Sequence, residues 1–218
     1  LEAPDEEIEK YYAGDDPDYP STDWFGHIMR DYAPQQNHNL SIRGGSEKVR
    51  YYAFFGFLDQ QTMIKKGGGN YQRYNVRTNV DADILDNLSL SVDLSSIIES
   101  RDFPWRNIGE GTSDISGSIW YDLWFTPPIY PTSLPDPDKI SYADGNGTGG
   151  AHISSNKNLY GFRDQDDQSM RGKISLQYDF LRIKGLNLQA NFIYDKNYRD
   201  VKRFRKVVDT WEYSYASD

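Results

Sequence analysis

The sequence contains no cysteine. A disulfide framework and a thiolate zinc site are both excluded on that ground alone. Histidine is scarce: the three, His27, His38 and His152, stand far apart, with no pair at helical spacing to hold a metal. No apolar run approaches the ~20 residues of a membrane-crossing helix. Any passage through a membrane must therefore be made by strands. Basic residues are outnumbered, 24 Lys and Arg against 33 Asp and Glu, for a formal charge of -9. That balance argues against a nucleic-acid partner, because phosphate binding requires a dense basic face. The one basic run, Lys202-Arg203-Phe204-Arg205-Lys206, reads equally as a solvated loop or an anion site.

What the chain has instead is Tyr, Trp, Phe, Asn, Asp and Ser, a composition that favours strands and long polar loops. Over 1–36 the pattern predicts two short helices. The first opens at Pro4 with Asp5, Glu6 and Glu7 at its positive end and stops at Gly14; the second is capped by Ser21 and stops before Pro34. From residue 37 the period changes to two, predicting strands at 38–44, 48–58, 72–84, 88–98, 169–181 and 186–198. The separators alternate between short (45–47, 85–87, 182–185) and long (59–71, 99–168, and the tail after 199). An antiparallel meander with tight turns at one end and long loops at the other is the pattern of a transmembrane β-barrel. The expected fold class is therefore all-β, an arc of such a barrel. Its parts are a helical loop segment (1–36), barrel strands (37–98), a long extracellular loop (99–168), a barrel hairpin (169–198) and the start of a further loop (199–218).

Two adjacent strands allow a register test. Tyr74, Val76, Val80, Ala82 and Ile84 form one apolar set and Leu88, Leu90, Val92 and Leu94 the next. A two-residue loop at Asp86-Asn87 would put the sets on opposite faces, whereas a three-residue loop, Leu85-Asp86-Asn87, pairs Ile84 with Leu88, Ala82 with Leu90 and Val80 with Val92. The expected lipid-facing residues are thus Val76, Val80, Ala82, Leu90, Val92 and Leu94. The lumen-facing set is Arg73, Asn75, Arg77, Asn79, Asp81 and Asp93, polar side chains that need water or one another. Phe55, Phe57, Tyr71, Tyr74 and Tyr194 fall toward the long-loop ends of their strands and Tyr51, Tyr178 and Phe180 near the short turns, as two interfacial aromatic belts would.

No catalytic constellation emerges. Gly67-Gly68-Gly69-Asn70 lacks the Lys-Ser/Thr of a phosphate loop, and the run from Asp144 to Gly150 lacks the spaced acids and closing Glu of an EF-hand, so neither a cofactor nor a metal is expected. Binding is expected in the long loop, where Trp105, Trp120, Tyr121, Trp124 and Tyr130 crowd together although loops are normally polar. Such residues pack the loop on itself, anchor a protein partner or stack on sugar rings.

Several ordered motifs resemble the barrel of SusC/RagA-like TonB-dependent outer-membrane transporters of Bacteroidota. They are Asp16-Pro17-Asp18-Tyr19-Pro20 with Thr22-Asp23-Trp24, the turn Ser41-Ile42-Arg43-Gly44-Gly45-Ser46-Glu47-Lys48 leading to Tyr51-Tyr52, the strand Arg73-Tyr74-Asn75-Val76-Arg77-Thr78-Asn79-Val80-Asp81, Pro127-Pro128-Ile129-Tyr130-Pro131, and Ile183-Lys184-Gly185-Leu186. The resemblance implies a non-enzymatic role in importing glycans or peptides, outer-membrane lipid as surroundings, a SusD-like surface lipoprotein as partner, and coupling to TonB through a plug. Plug, TonB box and closing strands are absent, so an internal piece of the barrel is expected. Two rival classes explain the aromatic loop and polar face without a membrane: a soluble β-rich carbohydrate-binding module and a secreted glycosidase.

Overall fold

The computed structural model of the protein describes residues 5–106, 118–143, 148–183 and 185–212. Two helices, α1 (Asp5–Ala13) and α2 (Trp24–Ile28), precede four strands, β1 (Gln35–Gly45), β2 (Val49–Gln61), β3 (Asn70–Leu85) and β4 (Leu88–Pro104). Short helices α3 (Ile119–Phe125), α4 (Ala151–Ser154) and α5 (Lys157–Tyr160) then lead into β5 (Gly161–Asp179) and β6 (Asn187–Arg205). The six strands form one sheet in sequence order, antiparallel throughout and not closed. This is the arc of a barrel expected from the loop pattern.

Cross-strand partners share a face, so the five registers carry one face across the sheet. Leu40 meets Phe55, Phe55 meets Val76, Val76 meets Ser96 and Ser96 meets Met170. A row closer to the short turns runs Tyr51, Val80, Val92, Ile174 and Phe192. The result is a broad belt of Leu, Val, Ile, Phe and Tyr, with Leu94 52% and Phe192 64% exposed. The opposite face carries Arg, Asn, Asp, Ser and Gln, interrupted by a few apolar side chains such as Tyr52 and Ile97.

The turns follow local chemistry. Between β1 and β2, the Ser46 amide donates to the Val49 carbonyl at 2.7 Å, and the Ser46 hydroxyl lies 3.4 Å from the Lys48 amide and 3.3 Å from that of Val49. Gly44 lies opposite Tyr51, and a Cβ there would sit 2.5 Å from the tyrosine hydroxyl, so the exposed Tyr51 ring packs over the glycine. Between β3 and β4 the expected pairs Ala82–Leu90 and Val80–Val92 form, as do Asp81–Ser91 and Asn79–Asp93. The closing pair differs: Leu85, not Ile84, meets Leu88 across a two-residue Asp86-Asn87 turn, and a register shift between Asp83 and Leu85 absorbs the extra residue. An irregularity of that kind and a three-residue loop consume the same number of residues, so both give the same inner register.

Several other expectations are corrected. β4 runs to Pro104 and β5 starts at Gly161, so the pair extends six residues past 98 and eight before 169. The extension is largely polar on both faces, with Phe103, Pro104 and Phe162 only at its far end, so no apolar alternation marks it, yet its backbone ladder continues. Asp23, not Ser21, caps α2, accepting from the Gly26 amide at 2.9 Å. Tyr71 leaves the aromatic belt, since its hydroxyl donates to Glu99 on the polar face at 2.5 Å. Pro4 and Lys184 lie outside the described residues.

The buried core lies off the long-loop end of the sheet rather than on either face. Trp24 and Ile28 from α2, Ile64 from the β2–β3 loop, Ile119 and Leu123 from α3, and Ala143 and Ala151 make it, with Met29 and Tyr130 packed against it. The loops thus fold into a cap.

Gly69 tests how tightly the cap is tied to the sheet. Its φ is +77° and a Cβ would fall 1.6 Å from the Asp102 carbonyl oxygen, whereas Gly185 at φ +87° has nothing within 4 Å of that position. Gly69→Ala is expected to destabilise by about 2 kcal/mol or more, and Gly185→Ala by about 1 kcal/mol from the backbone alone. Unfolding midpoints of the two variants measure the difference, and equal shifts would contradict the close approach.

Candidate functional site

The cap is joined to the sheet by polar contacts that sequence periodicity does not reveal. The Thr22 amide donates to the Pro128 carbonyl at 2.8 Å, its hydroxyl to the Tyr130 carbonyl at 2.7 Å, and the Trp24 indole N–H to the Pro127 carbonyl at 2.8 Å. Two of the motifs quoted above are therefore halves of one contact. Arg30 reaches from the end of α2 to Gln61 Oε1 at 2.6 Å and the Ile64 carbonyl at 2.9 Å. Inside the cap, Ser118 caps α3 through the Tyr121 amide, and Asp122 is fully buried. Arg106 grips that carboxylate with two bonds, Nε to Oδ2 at 3.0 Å and Nη2 to Oδ1 at 2.7 Å. Deleting either partner of such a pair leaves a buried charge uncompensated, at a cost of about 3–5 kcal/mol.

Under the cap, where it meets the polar face, is a cavity of about 480 Å³. Tyr71, Arg101 and Phe103 line it from the strands, and Ile64, Ile119 and Trp120 from the cap. A hydrogen-bonded chain leads away from it over the polar face. Tyr71 donates to Glu99; Arg101 donates to Glu99 at 3.2 Å and to Asp167 at 2.5 Å; Asp167 also accepts from Arg199 Nε at 2.5 Å and from Gln165 Nε2 at 2.7 Å. Nearer the short turns, Arg171 grips Asp195 with bonds of 2.9 and 2.6 Å, Ser91 donates to Asp81 at 2.7 Å, and Asn79 donates to Asp93. An apolar chamber beside a ladder of alternating charge can hold a ligand that has both apolar and ionic groups.

The five loop aromatics separate. Trp120 lines the cavity, while Trp120, Tyr121, Trp124 and Phe125 together border a second, smaller cleft of about 190 Å³ on α3. Tyr121 stacks on Phe125 at 4.3 Å, and Trp124 is 75% exposed. Trp105 instead continues the β4–β5 ladder, its amide donating to the Gly161 carbonyl at 2.9 Å. Tyr130 packs into the core edge-on to Tyr142 at 5.7 Å. Of Arg73, Asn75, Arg77, Asn79, Asp81 and Asp93, all six share the polar face, and Val76, Val80, Ala82, Leu90, Val92 and Leu94 share the apolar one. The residues from Tyr71 to Arg199 that form the charged chain were only partly foreseen, because β4 and β5 were expected to stop short of them. The first four residues of the Asp144–Gly150 run lie outside the described residues.

His152 is a buried titratable group within the cap. Its ring stacks on Trp24 at 5.1 Å and Nε2 lies 3.0 Å from the Ser141 carbonyl. A carbonyl only accepts, so Nε2 carries the proton and the partnerless Nδ1 is a buried lone pair. Burial, with the nearby His27 adding to it against the Ser141 bond, pushes the His152 pKa down to about 4. The folded value lies below the unfolded one, so its contribution is complete above about pH 6.5 and is lost as pH falls toward 4, amounting to about 3 kcal/mol. Selective ¹³C-histidine NMR is expected to show His152 neutral at pH 5.5; a midpoint above pH 6 would contradict the buried, bare Nδ1.

No known family profile matches the chain. A 77-residue stretch, 35% of the chain, is 34% identical to TonB-dependent receptor P26 of Formosa agariphila, of which it covers 8%. The fold matches chains of the RagAB peptide importer in its closed-closed state (TM-score 0.58, 21% identity) and its open-open state (0.62, 22%). A structure of the RagAB peptide transporter matches likewise (0.59, 23%). These matches cover 82 to 86% of this chain and about a fifth of those chains. Sequence and fold agree on the likeness read from the motifs: the chain resembles a SusC/RagA-like TonB-dependent transporter, and corresponds to part of its barrel.

Proposed function

We propose that the chain is an arc of the outer-membrane barrel of a SusC-type TonB-dependent transporter that imports glycans or peptides. The observation that carries the reading is the apolar belt. Five consecutive registers keep Leu, Val, Ile and aromatic side chains on one face of six strands, and none of the described helices covers that face. In water such a surface is an aggregation hazard; in a bilayer it is solvated by lipid. The opposite face, with its ion pairs, lines the lumen. The cap lies on the extracellular side, since long loops mark that end of a barrel. Energy coupling and the plug belong to parts of the protein beyond this arc.

The exposed α3 aromatics, Trp124 and Phe125, project from the cap and supply the contact for the SusD-like lipoprotein, because desolvated Trp and aromatic anchors carry most of the energy of such interfaces. The carbohydrate-binding module and the glycosidase explain the aromatics but leave the apolar belt without a role.

Two experiments on the full-length transporter test this reading. Val80→Arg is expected to destabilise the barrel in lipid vesicles by roughly 2 to 4 kcal/mol, and Asn79→Arg by much less; equal costs would abolish the facing, and a larger cost at Asn79 would reverse it. Trp124→Ser with Phe125→Ser, both outside the core, is expected to leave heat-modifiable gel mobility normal while lowering lipoprotein capture by about tenfold or more. Unchanged capture would remove α3 from the interface.

A further inference from the structure

The cavity beneath the cap has a mostly apolar wall on the polar side of the sheet. Phe103 reaches it from β4, Met63 and Ile64 from the β2–β3 loop, and Ile119, Trp120 and Leu123 from α3. The strand residues that border it, Tyr71, Arg101 and Phe103, belong to the face that carries Arg73, Glu99 and Asp167. On the barrel reading that face is the lumen, so lipid is not the guest. The volume of about 480 Å³ falls within the ~300–1,000 Å³ of sites that enclose small ligands.

The polar side chains at this wall are largely committed to the protein. The Tyr71 hydroxyl donates to Glu99, Gln61 Oε1 accepts from Arg30 at 2.6 Å, and Arg101 is bonded to Glu99 and Asp167. The Thr62 hydroxyl is shielded from solvent. Gln60 remains: it is exposed, and its carboxamide has no hydrogen-bond partner among the described residues. A sugar ring carries hydroxyls around its edge, and each one taken into such a chamber gives up water without gaining a partner. A leucine or phenylalanine side chain has none to lose. The amides on either side of it offer donors and acceptors that the Gln60 carboxamide can answer at the wall. Met29 and Met63, two of the three methionines in the chain, both line the cavity. Their unbranched thioethers repack around guests of different shape, so the chamber suits a class of apolar side chain rather than one member.

We propose that this chamber is a side-chain pocket that selects peptides, seating one large apolar residue of a peptide that enters the lumen beneath the cap. The proposal rests on the barrel reading, which places the polar face inward, and adds both the substrate class and the feature by which it is chosen. Burial of the seated side chain supplies the preference, because an apolar surface that water otherwise covers is removed from water on both partners. Peptides without such a residue gain nothing from the pocket.

The test uses the purified full-length transporter with its lipoprotein and a series of pentapeptides that are glycine except at the central position, which is Gly, Leu or Phe. Affinity is expected to rise by about tenfold or more from the Gly to the Phe peptide. A neutral hexose oligomer added in excess should not displace the Phe peptide. Ala33 also lines the cavity, and Ala33→Phe adds a ring to its wall. That variant should bring the Phe peptide down to about the affinity of the Gly peptide and leave the Gly peptide unchanged. Equal affinity along the series, no binding of any member, displacement by the hexose oligomer, or full affinity of the Phe peptide in the variant would overturn the proposal. Heat-modifiable mobility and outer-membrane fractionation of the same samples report the barrel separately. A folded barrel without side-chain preference refutes only the pocket; failure to fractionate with the outer membrane refutes the reading beneath it.

Discussion

A strand that crosses hydrocarbon has no water to satisfy its amides and carbonyls, and every one must find a neighbour. On the barrel reading proposed above, that requirement organises the chain. It explains why β2 to β5 are each bonded along both edges, why consecutive strands pair with consecutive strands, and why the turns that join them at one end are two to seven residues long. Once the ladder is fixed, the pleat sends alternate side chains to opposite faces, and a slip of one residue would exchange the two. The irregularity between Asp83 and Leu85 matters for that reason. It lets a two-residue turn follow β3 without transferring Leu88, Leu90 and Val92 to the wrong side.

The cap obeys a different constraint. Its segments come from residues 22–30, 61–65, 118–143 and 148–160, and the bonds that unite them span up to 108 positions. The buried Arg106–Asp122 pair, the Trp24–His152 stack and the carbonyls of Pro127, Pro128 and Tyr130 add specific geometry to the apolar contacts. The cavity between cap and strands exists because Gly69 brings the β2–β3 loop against β4 while α3 bridges above it.

Much of the sheet was legible in the sequence, because a period of two is imposed by the backbone and appears directly in Val76, Val80, Leu90 and Val92. The inner register was legible too, since only one pairing joins the two apolar sets. The turn that closes it was not, because a longer loop and a local irregularity place Asp83 opposite Ser89 equally well. Strand ends were misjudged for a related reason: beyond Ile98 both faces become polar, the alternation vanishes, and only the backbone ladder continues to Pro104. Of the loop aromatics, residue type revealed that binding or packing was in play but not which. Trp105 serves the ladder, Tyr130 the core and Trp120 the cavity, assignments that depend on contacts with distant segments of the chain.

The central claim is that one face of this sheet meets lipid and the other meets water. It is measured directly by placing single spin-labelled cysteines at successive positions from 74 to 83 and 88 to 94 of the full-length protein, cleared of any other cysteine, in a bilayer. The account predicts a period of two, with even positions exposed to dissolved oxygen and shielded from a water-soluble nickel chelate, and odd positions the reverse. Accessibility that does not alternate, or that alternates with the odd positions in lipid, would contradict it.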